Sequence, residues 1–515
     1  MRTFARNFSE IKKMISFQDI HNFYFLGIGG IGMSALARYF HQLGYPVFGY
    51  DRTPSSLTRE LEEEGIKITF EDRVKVVQSL GLSRFNTVVI RTPAVPEECE
   101  IYCYLREQGF EIYKRAEILG MVTRQMKALC VAGTHGKTTT STLLAHLLTE
   151  DRQDALNSQG EGGKGERGEG EERKREGEIG EGEVEVDACP RGVNAFLGGI
   201  SMNYGTNLLV DKKSDYVVVE ADEYDHSFHQ LTPYISVVTA VDPDHLDIYG
   251  TPEAYRDAFA HYTSLITGAL VMKKGIELTP RLQSGVKLYT YGVVENEDLP
   301  HSESDLPDFY ADHIRMGDGQ IMFDFHTPES VVKDVRLGVP VWINIENSVA
   351  AMSVAWLTGQ KPSELKAKAG SFKGVLRRFN IHVNSPKVAY IDDYAHHPDE
   401  IATAIDSIRK LFPQRRLIGV FQPHLYTRTR DFAQDFARVL GTMDELILLP
   451  IYPAREKPIP GITSELLGGQ VVEKKDLVKV LKEKVNDATE PLVILTVGAG
   501  DIDRLVPNIT QALNE

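Results

Sequence analysis

Val131-Ala-Gly-Thr-His-Gly-Lys-Thr-Thr-Thr-Ser-Thr142 is the stretch that decides the fold of this 515-residue chain. The apolar run Ala128–Ala132 predicts a buried strand, and Leu143–Leu148 predicts a helix. A strand, a glycine turn and a helix in this order predict a phosphate-binding loop, because the turn amides and the positive helix end attract anions. Lys137 suits the outer phosphates of a nucleotide, and the Thr138 hydroxyl suits a magnesium ion.

The composition limits which classes of protein this chain can belong to. A chain of 515 residues exceeds a single core, so several domains are expected. The formal net charge of -16 argues against a general nucleic-acid binder. No apolar run reaches the roughly 18 residues of a membrane span, and residues 1–20 lack a signal-peptide core. We therefore expect a cytoplasmic protein without nucleic-acid or membrane partners.

A second glycine loop lies near the start of the chain. The predicted strand Phe23–Leu26 runs into Gly27-Ile28-Gly29-Gly30-Ile31-Gly32, and a helix and the strand Val47–Tyr50 follow, ending at Asp51. This spacing is typical of dinucleotide-binding units, in which a pyrophosphate lies on the helix N-terminus and an acid lies near a ribose or base. A nicotinamide dinucleotide site is the default interpretation of this motif taken alone.

Acidic side chains follow two predicted strands of the second unit. Tyr216–Val219 runs directly into Glu220, and Ile235–Thr239 leads into the segment 242–247, which contains His245. Acids at strand ends beside a phosphate loop are typical magnesium ligands. Helix capping is the alternative for the acids, and an ordinary surface position is the alternative for His245.

The composition changes abruptly between residues 160 and 183. These 24 residues contain nine Gly, nine Glu, five Lys or Arg and one Ile. Such a segment cannot bury enough apolar surface to offset its ordering entropy. We expect a disordered surface insertion over about 151–186, with a functional tail as the alternative.

A third unit repeats the pattern of strands that end in polar clusters. Val388–Ile391 leads into the segment 392–398, and Leu417–Phe421 leads into the segment 422–430. The carboxyl ends of parallel strands meet at one edge of a doubly wound sheet, so these loops should share a cleft. The sequence predicts an α/β fold with three domains, at 1–114, 115–366 and 367–515.

The strand-end motifs, taken as an ordered set, resemble those of the Mur ligase family. Each motif alone is modest evidence, whereas the set covers nearly the whole chain apart from the Gly/Glu-rich segment. The motifs are Gly-Ile-Gly-Gly-Ile-Gly-Met at 27–33, Gly-Thr-His-Gly-Lys-Thr-Thr-Thr at 133–140, Glu-Ala-Asp-Glu at 220–223, Asp-His-Leu-Asp at 244–247, Arg-Arg-Phe at 377–379, Asp-Asp-Tyr-Ala-His-His-Pro at 392–398 and Phe-Gln-Pro-His at 421–424.

The resemblance implies a fold and a reaction. It implies a Rossmann-like UDP-binding domain, a central P-loop ATPase-type domain and a C-terminal Rossmann-like domain. The implied enzyme uses ATP to join L-alanine to the muramate carboxylate of UDP-N-acetylmuramate through an acyl phosphate, in peptidoglycan precursor biosynthesis. Two Mg²⁺ ions are expected, with Mn²⁺ able to replace them, and the chain is expected to be a monomer or weak homodimer. A tripeptide-recycling ligase of the family and a catalytically inactive nucleotide-binding regulator are the alternatives.

The resemblance also implies roles for individual residues. Catalytic roles fall on Lys137, His245, Arg378 and Asp393. Metal ligands are Thr138, Glu220 and His245. ATP contacts fall on the phosphate loop and later segments: Gly133, Thr134, His135, Gly136, Lys137, Thr138, Thr139, Asn344, Asn347 and Arg378. The UDP-sugar contacts fall in the first unit: Gly27, Gly29, Gly30, Ile31, Gly32, Met33, Asp51 and Thr92. The amino acid is assigned to Tyr394, His396 and Arg428.

Two positions depart from the family pattern. Ile343 stands where a histidine is common, and Leu425 stands where an arginine is common. Leu425 leaves the amino-acid carboxylate with one arginine contact fewer, and Arg430 is the candidate substitute.

Overall fold

The computed structural model of the protein describes residues 20–149, 192–294 and 305–514, apart from residues 318 and 455. The expected insertion at 151–186 lies outside the described residues. Three β-sheets follow one another along the chain, each covered by helices, which confirms the predicted α/β class with three domains. Within the described ranges, no helix combines the length and apolar character needed to cross a membrane.

The N-terminal unit alternates strands and helices. In chain order these are β1 (Asn22–Leu26), α1 (Ile31–Gln42), β2 (Val47–Tyr50), α2 (Ser56–Glu63), β3 (Lys67–Thr69), α3 (Val74–Ser79), β4 (Thr87–Arg91), α4 (Glu100–Glu107) and β5 (Ile112–Lys114). All five strands are parallel, in the order β3-β2-β1-β4-β5. This is a Rossmann-like order, whose ligands bind where it reverses, here between the carboxyl ends of β1 and β4.

The central unit contains a ten-stranded sheet. Its strands are β6 (Lys127–Ala132), β7 (Asn194–Ser201), β8 (Thr206–Leu209), β9 (Tyr216–Ala221), β10 (Pro233–Val238), β11 (Ala269–Lys273), β12 (Lys287–Val293), β13 (Phe309–Gly317), β14 (Gln320–His326) and β15 (Val331–Arg336). Its helices are α5 (Arg115–Thr123), α6 (Lys137–Leu148), α7 (Leu246–Tyr249), α8 (Pro252–Thr263), α9 (Ile343–Leu357) and α10 (Pro362–Ser371), with a 3-10 helix at Tyr224–Gln230. The order is β15-β14-β13-β12-β11-β10-β6-β9-β7-β8, and antiparallel strands close both edges.

The C-terminal unit is a six-stranded sheet. Its strands are β16 (Asn380–Asn384), β17 (Val388–Asp393), β18 (Arg416–Phe421), β19 (Glu445–Leu448), β20 (Gln470–Val471) and β21 (Leu492–Val497). Its helices are α11 (Pro398–Leu411), α12 (Tyr426–Asp431), α13 (Ala433–Leu440), α14 (Lys474–Asp487) and α15 (Val506–Asn514), with 3-10 helices at Ser464–Leu467 and Asp501–Leu505. The order is β16-β17-β21-β18-β19-β20, parallel except for β16.

The strand positions agree with the sequence predictions to within two residues at either end. The expected boundary at 114–115 falls between β5 and α5. The expected boundary at 366–367 falls inside α10, which packs against β15 and α6 of the central unit. We therefore propose that the C-terminal unit begins after Ser371.

A buried polar network joins the first unit to the second. Arg38 on α1 is 4% exposed and donates to Glu60, Glu64 and Asn207. Asn207, on β8 of the central sheet, donates in turn to the Ile31 carbonyl at 2.6 Å. Because Ile31 begins the helix that follows the first glycine loop, this network fixes that loop against the central sheet.

The linker to the third unit pairs with the end of β7. Met202 donates its amide to the Gly374 carbonyl at 2.9 Å, and Leu376 donates to the Ile200 carbonyl at 2.8 Å. Val375 forms an antiparallel bridge with Ser201. The linker therefore delivers the residues that follow it to the edge of the central sheet, close to β6 and β9.

Candidate active site

The phosphate loop needs glycine at both of its predicted glycine positions. Gly133 has a φ of 134° and Gly136 a φ of 80°, values that favour glycine. A Cβ atom at residue 133 would lie 2.2 Å from the Thr239 hydroxyl, and one at residue 136 would lie 2.5 Å from the Asn347 side-chain oxygen. The loop then enters α6 at Lys137. An anion at this helix N-terminus meets unpaired amides and the positive end of the dipole.

Lys137 is held beside the loop by a carboxylate that sequence reasoning missed. Its ammonium donates to the Gly133 carbonyl at 2.6 Å and to Glu223 at 2.9 Å. Glu223 is 2% exposed, and burial raises the pKa of its carboxyl group, with the Lys137 charge opposing the shift. The pair keeps a cation at the loop.

Glu220 lies at the end of β9, next to the phosphate loop. Its carboxylate accepts from the Gly198 amide at 2.9 Å and from the Ser141 hydroxyl at 3.2 Å. Burial raises the pKa of Glu220, and hydrogen bonds from Thr138 and Gly198 oppose that shift. A carboxylate and a hydroxyl oxygen side by side are the hard donors that magnesium prefers, so the donor set fits this ion.

His245 lies on the loop after β10 in a left-handed conformation with a φ of 51°. Its Nε2 is 3.7 Å from a carboxylate oxygen of Asp244, and its ring meets Tyr224 edge-on at 5.2 Å. The loop belongs to the strand adjacent to β6, so His245 and the phosphate loop share one edge of the sheet. The structure thus supports the prediction that His245 and the phosphate loop lie at the same edge of the central sheet.

The two predicted asparagines form a chain of hydrogen bonds to the helix of the phosphate loop. Thr140 on α6 donates to Asn347 at 3.3 Å, and Asn347 donates to Asn344 at 3.0 Å. Asn347 is buried, so its side chain braces the loop. A cavity of about 450 Å³ opens at the start of α9, where Trp342 and Ile343 line it, and Asn344 lines a separate small gap between α6 and α9.

The remaining predicted ATP contacts also lie on the loop. Thr134 donates to the Asp242 carbonyl at 2.8 Å, which ties the loop to the segment after β10. The His135 carbonyl accepts from Thr239, and the His135 side chain is exposed. Thr139 lines a small gap between α6 and α9. Their backbone positions at the start of α6 are those of a phosphate cradle.

The first glycine loop occupies the reversal point between β1 and β4. Gly27 has a φ of 84°, and a Cβ atom there would lie 2.3 Å from Thr92 Cγ2. Asp51 accepts from the Gly29 amide at 2.8 Å and from the Thr53 amide at 3.1 Å. The predicted acid therefore shapes the loop from the neighbouring strand.

A cavity of about 320 Å³ lies between the first glycine loop and Glu220 of the central unit. Gly30, Ile31, Gly32, Met33 and Thr92 line it from the first unit, and Gly198, Glu220 and Asp222 line it from the central unit. A cation absent from the sequence prediction also lines it: Arg115, whose guanidinium is 2.9 Å from Asp222. A molecule anchored on the first glycine loop thus has a direct path to the Glu220 carboxylate.

Two adjacent arginines at the start of the third unit have opposite environments. Arg377 is largely buried, and it donates to Asp392 at 3.2 Å and to the Gly498 carbonyl at 2.7 Å. Arg378 is exposed and lies over the Tyr394 ring at 5.9 Å. Arg377 is therefore a structural cation, whereas Arg378 is available to an anionic ligand.

Asp393 holds the backbone around this arginine pair. Its carboxylate accepts from the Phe379 and Ala395 amides, each at 2.7 Å. Burial raises the pKa of Asp393 to about 6, and these two hydrogen bonds oppose the shift. Arg377 and Phe379 have φ values of 62° and 49°, so the turn that presents Arg378 is strained and depends on such contacts.

The predicted amino-acid residues come together at the ends of β17 and β18. The Tyr394 and His396 rings are 5.2 Å apart, and His396 is 6.4 Å from the ring of His424. Nη1 of Arg428 is buried and has no hydrogen-bond partner within the described part of the chain. His424 was missing from the predicted site, although the motif at 421–424 ends on it.

Leu425 has the left-handed φ of 72° that is unusual for a leucine. Its amide donates to the Tyr452 carbonyl at 3.0 Å, which holds this conformation. Arg430 is exposed and pairs with Asp431 at 2.7 Å. Its guanidinium is thus engaged at the surface, and the substitution of Arg430 for the missing arginine stays a prediction.

Family models match the three units in order. The model described as Mur ligase family, catalytic domain, matches residues 22–127. The Mur ligase middle domain matches residues 131–355, and the model described as Mur ligase, glutamate ligase domain, matches residues 377–500.

Curated relatives match the chain over almost its whole length. The UDP-N-acetylmuramate–L-alanine ligase of Parabacteroides distasonis is 50% identical over 496 residues, which are 95% of this chain and 96% of the relative. The enzyme of the same name from Phocaeicola vulgatus is 49% identical over 502 residues, with coverage of 96% and 98%.

Solved structures share the fold. The UDP-N-acetylmuramate–alanine ligase of Thermotoga maritima superposes with a TM-score of 0.70 at 24% identity, covering 96% of this chain and 99% of that one. A murein peptide ligase from Psychrobacter arcticus superposes with a TM-score of 0.58 at 19% identity, with the same coverage. With three matched domains and relatives at about half identity over the full length, the chain belongs to the Mur ligase family.

Proposed function

We propose that this chain joins L-alanine to the muramate carboxylate of UDP-N-acetylmuramate and cleaves ATP to ADP and phosphate, a step in peptidoglycan precursor biosynthesis. The observation that carries this function is the cavity that links the first glycine loop to Glu220, whose carboxylate accepts from Ser141 on the helix of the phosphate loop. A nucleotide sugar anchored on the first loop extends its carboxylate toward the γ-phosphate of ATP. The names of the relatives that are about 50% identical over 95% or more of the chain agree with this assignment.

Phosphoryl transfer between two anions needs cations around the transferred group. Lys137 is at the loop that receives the phosphates, and Arg378 is the exposed cation delivered by the linker to the third unit. The muramate carboxylate attacks the γ-phosphate and forms an acyl phosphate with release of ADP. The amine of L-alanine then attacks the acyl carbon, and phosphate leaves. Because the third unit brings Arg378 and the amino-acid residues, closure of that unit completes the site.

The metal ligands are proposed from the donor set. Thr138 and Glu220 hold one Mg²⁺ ion and His245 holds a second, with Mn²⁺ able to replace either. When bound, such an ion neutralises phosphate charge and orients the phosphate oxygens. The half-buried carboxylate of Glu220, kept in place by the Gly198 amide and the Ser141 hydroxyl, supports this assignment.

The sugar nucleotide is proposed to lie across the carboxyl ends of β1 and β4. Its diphosphate rests on the loop Gly27–Met33 at the start of α1, between Asp51 and Thr92. Arg115 faces the same cavity as the loop and is available to the diphosphate or to the muramate carboxylate. The adenine of ATP is assigned to the cavity beside Asn344, whose rim includes Ile343.

One chain supplies every part of this site, which supports a monomer or a weak homodimer as the working form. The proposed substrates, ATP and a UDP-sugar, support a cytoplasmic reaction.

A product assay tests the function and separates it from the alternatives. Purified protein is incubated with UDP-N-acetylmuramate, ATP and Mg²⁺, with either L-alanine or the tripeptide, and the products are followed by mass spectrometry. We expect the L-alanine adduct and stoichiometric phosphate. Phosphate release with the tripeptide and none with L-alanine would establish the recycling ligase instead.

A matched pair of variants distinguishes catalysis from simple nucleotide binding. Lys137→Ala should abolish ligation, whereas Lys212→Ala, at an exposed lysine in the loop before β9, should retain it. If the unmodified protein binds ATP and UDP-N-acetylmuramate yet forms no adduct with any amino acid, the chain is instead a catalytically inactive nucleotide-binding regulator.

A further inference from the structure

Two buried polar atoms on one segment of the third unit have no hydrogen-bond partner within the described part of the chain. They are Nη1 of Arg428 and Nδ1 of His424, both in the segment that follows β18. Buried polar atoms in native proteins are almost always paired, so such an orphan needs an explanation, and a missing ligand is one. One orphan is a cationic donor, and the other is a ring nitrogen that accepts when the imidazole is neutral.

The His424 ring is held in a fixed position. It stacks on the Tyr452 ring with centroids 5.7 Å apart and an interplanar angle of 20°. The backbones of the two residues form a parallel bridge, and Leu425 donates its amide to the Tyr452 carbonyl at 3.0 Å. The strained Leu425 conformation is therefore part of what orients His424. A ring fixed in this way is preorganised to meet a ligand.

The charges around His424 favour its neutral form. Burial lowers the pKa of His424, the Arg428 charge and His396 lower it further, and Glu456 opposes them. Lys474 lies 5.9 Å from the centre of the Tyr452 ring on which His424 stacks, and its charge is paired with Asp501. A neutral imidazole has one nitrogen that accepts a hydrogen bond or a proton.

The two orphan atoms complement the two charged groups of a free α-amino acid. A carboxylate needs a donor such as the Arg428 guanidinium, and an ammonium group needs an acceptor such as a neutral imidazole. His396, the other histidine of the pocket, already uses its Nδ1, which is 3.1 Å from the Tyr394 carbonyl and 3.4 Å from Glu400. Of these two histidines, His424 is the one whose buried Nδ1 has no hydrogen-bond partner among the described residues.

We propose that Nδ1 of His424 binds the amine of the incoming L-alanine and takes its proton, while Arg428 holds the carboxylate of the same molecule. This proposal rests on the proposed function and makes His424 a catalytic residue of the second half-reaction.

The alanine ammonium gives one proton to His424, which frees the nitrogen lone pair. That lone pair forms the C–N bond to the acyl carbon, and the acyl C–O bond breaks, so that its electrons leave with phosphate. The phosphate takes the second proton from the nitrogen, and the imidazolium returns its proton to solvent.

The test separates the two half-reactions in His424→Gln and His396→Gln. Hydroxylamine, an uncharged nucleophile at neutral pH, traps the acyl phosphate as a hydroxamate and needs no deprotonation by the protein. For His424→Gln we expect hydroxamate formation within about threefold of the unmodified protein, which also reports correct folding. We expect its rate of ligation to L-alanine at pH 7.5 to fall about 100-fold or more, the usual effect of losing a general base.

The pH dependence identifies which histidine acts. In His424→Gln the rate should recover as the pH rises, because alanine then loses its proton in solution. His396→Gln should raise the KM for L-alanine and keep the acidic limb of the kcat profile. The assignment is overturned if His424→Gln ligates alanine at the unmodified rate, if it loses hydroxamate formation equally, or if the acidic limb moves only in His396→Gln. An unmodified protein that forms neither hydroxamate nor alanine adduct would refute the proposed function, and this assignment with it.

Discussion

The adjacent residues Arg377 and Arg378 should respond to the same substitution in opposite ways. Arg377 neutralises Asp392, which is 1% exposed, and also satisfies the Gly498 carbonyl. Arg377→Ala therefore leaves a buried carboxylate without its cation, which costs about 3–5 kcal/mol. For a unit of this size the melting temperature should fall by roughly 10 °C. Arg378 is exposed and makes no comparable contact, so Arg378→Ala should change stability by about 0.5 kcal/mol or less.

The loss of catalytic activity should be large for Arg378→Ala, the variant whose stability changes little. Arg378→Ala removes a cation from the transferred phosphoryl group, which lowers kcat by about 100-fold or more. Differential scanning calorimetry measures the C-terminal transition, and coupled ADP release with saturating L-alanine measures kcat. The reasoning is refuted if Arg378→Ala melts earlier than Arg377→Ala, or if Arg378→Ala keeps full activity.

Three further outcomes follow from the site. Glu220→Gln keeps the shape of the side chain and removes a half-buried charge, so the variant should melt at the same or a higher temperature. Its Mg²⁺-dependent ligation should fall about 100-fold, measured by magnesium titration. Burial raises the pKa of Asp393 from its ordinary value to about 6, so the folded state holds this proton more tightly and the carboxyl group's contribution to stability declines as the pH rises from about 4 through 6. Melting curves of Asp393→Asn should lack that decline, and an unchanged slope would contradict the assignment. Arg115→Lys keeps the charge but loses the planar fork, so the KM for UDP-N-acetylmuramate should rise about tenfold with kcat little changed, in initial-rate assays.

Features that depend on local pattern could be predicted from the sequence. Apolar runs predicted β1, β6 and β9 to within two residues at either end, because strand periodicity and turn chemistry act over a few residues. The strand-end rule then placed the glycine loops, Glu220 and His245 at carboxyl edges of their sheets. The family resemblance supplied the reaction, whereas the spacing of the first glycine loop alone favoured a nicotinamide dinucleotide site.

Features that depend on tertiary contacts could not be predicted. Lys137 and Glu223 are 86 residues apart in sequence, and Arg38 and Asn207 are 169 apart, so no local pattern pairs them. Arg377 and Arg378 look equivalent in the sequence, and only the left-handed turn at Arg377 sends one inward and leaves the other exposed.

The unpaired Nδ1 of His424 also depends on tertiary contacts and could not be predicted from the sequence. It is defined by the packing of Tyr452, which lies on a loop after a different strand. The same loop geometry depends on Leu425, whose side chain the sequence identified only as a departure from the family pattern. In this chain the sequence therefore predicts the site residues at the strand ends, but it does not predict those that are positioned by the packing of two loops.

Transfer of carboxylate oxygen tests the central claim most directly. UDP-N-acetylmuramate labelled with ¹⁸O in its muramate carboxylate is incubated with ATP, Mg²⁺ and L-alanine, and the released phosphate is analysed by mass spectrometry. An acyl phosphate formed in the cleft between the three units predicts one ¹⁸O atom in each phosphate released. Unlabelled phosphate, or label recovered in AMP, would contradict the account.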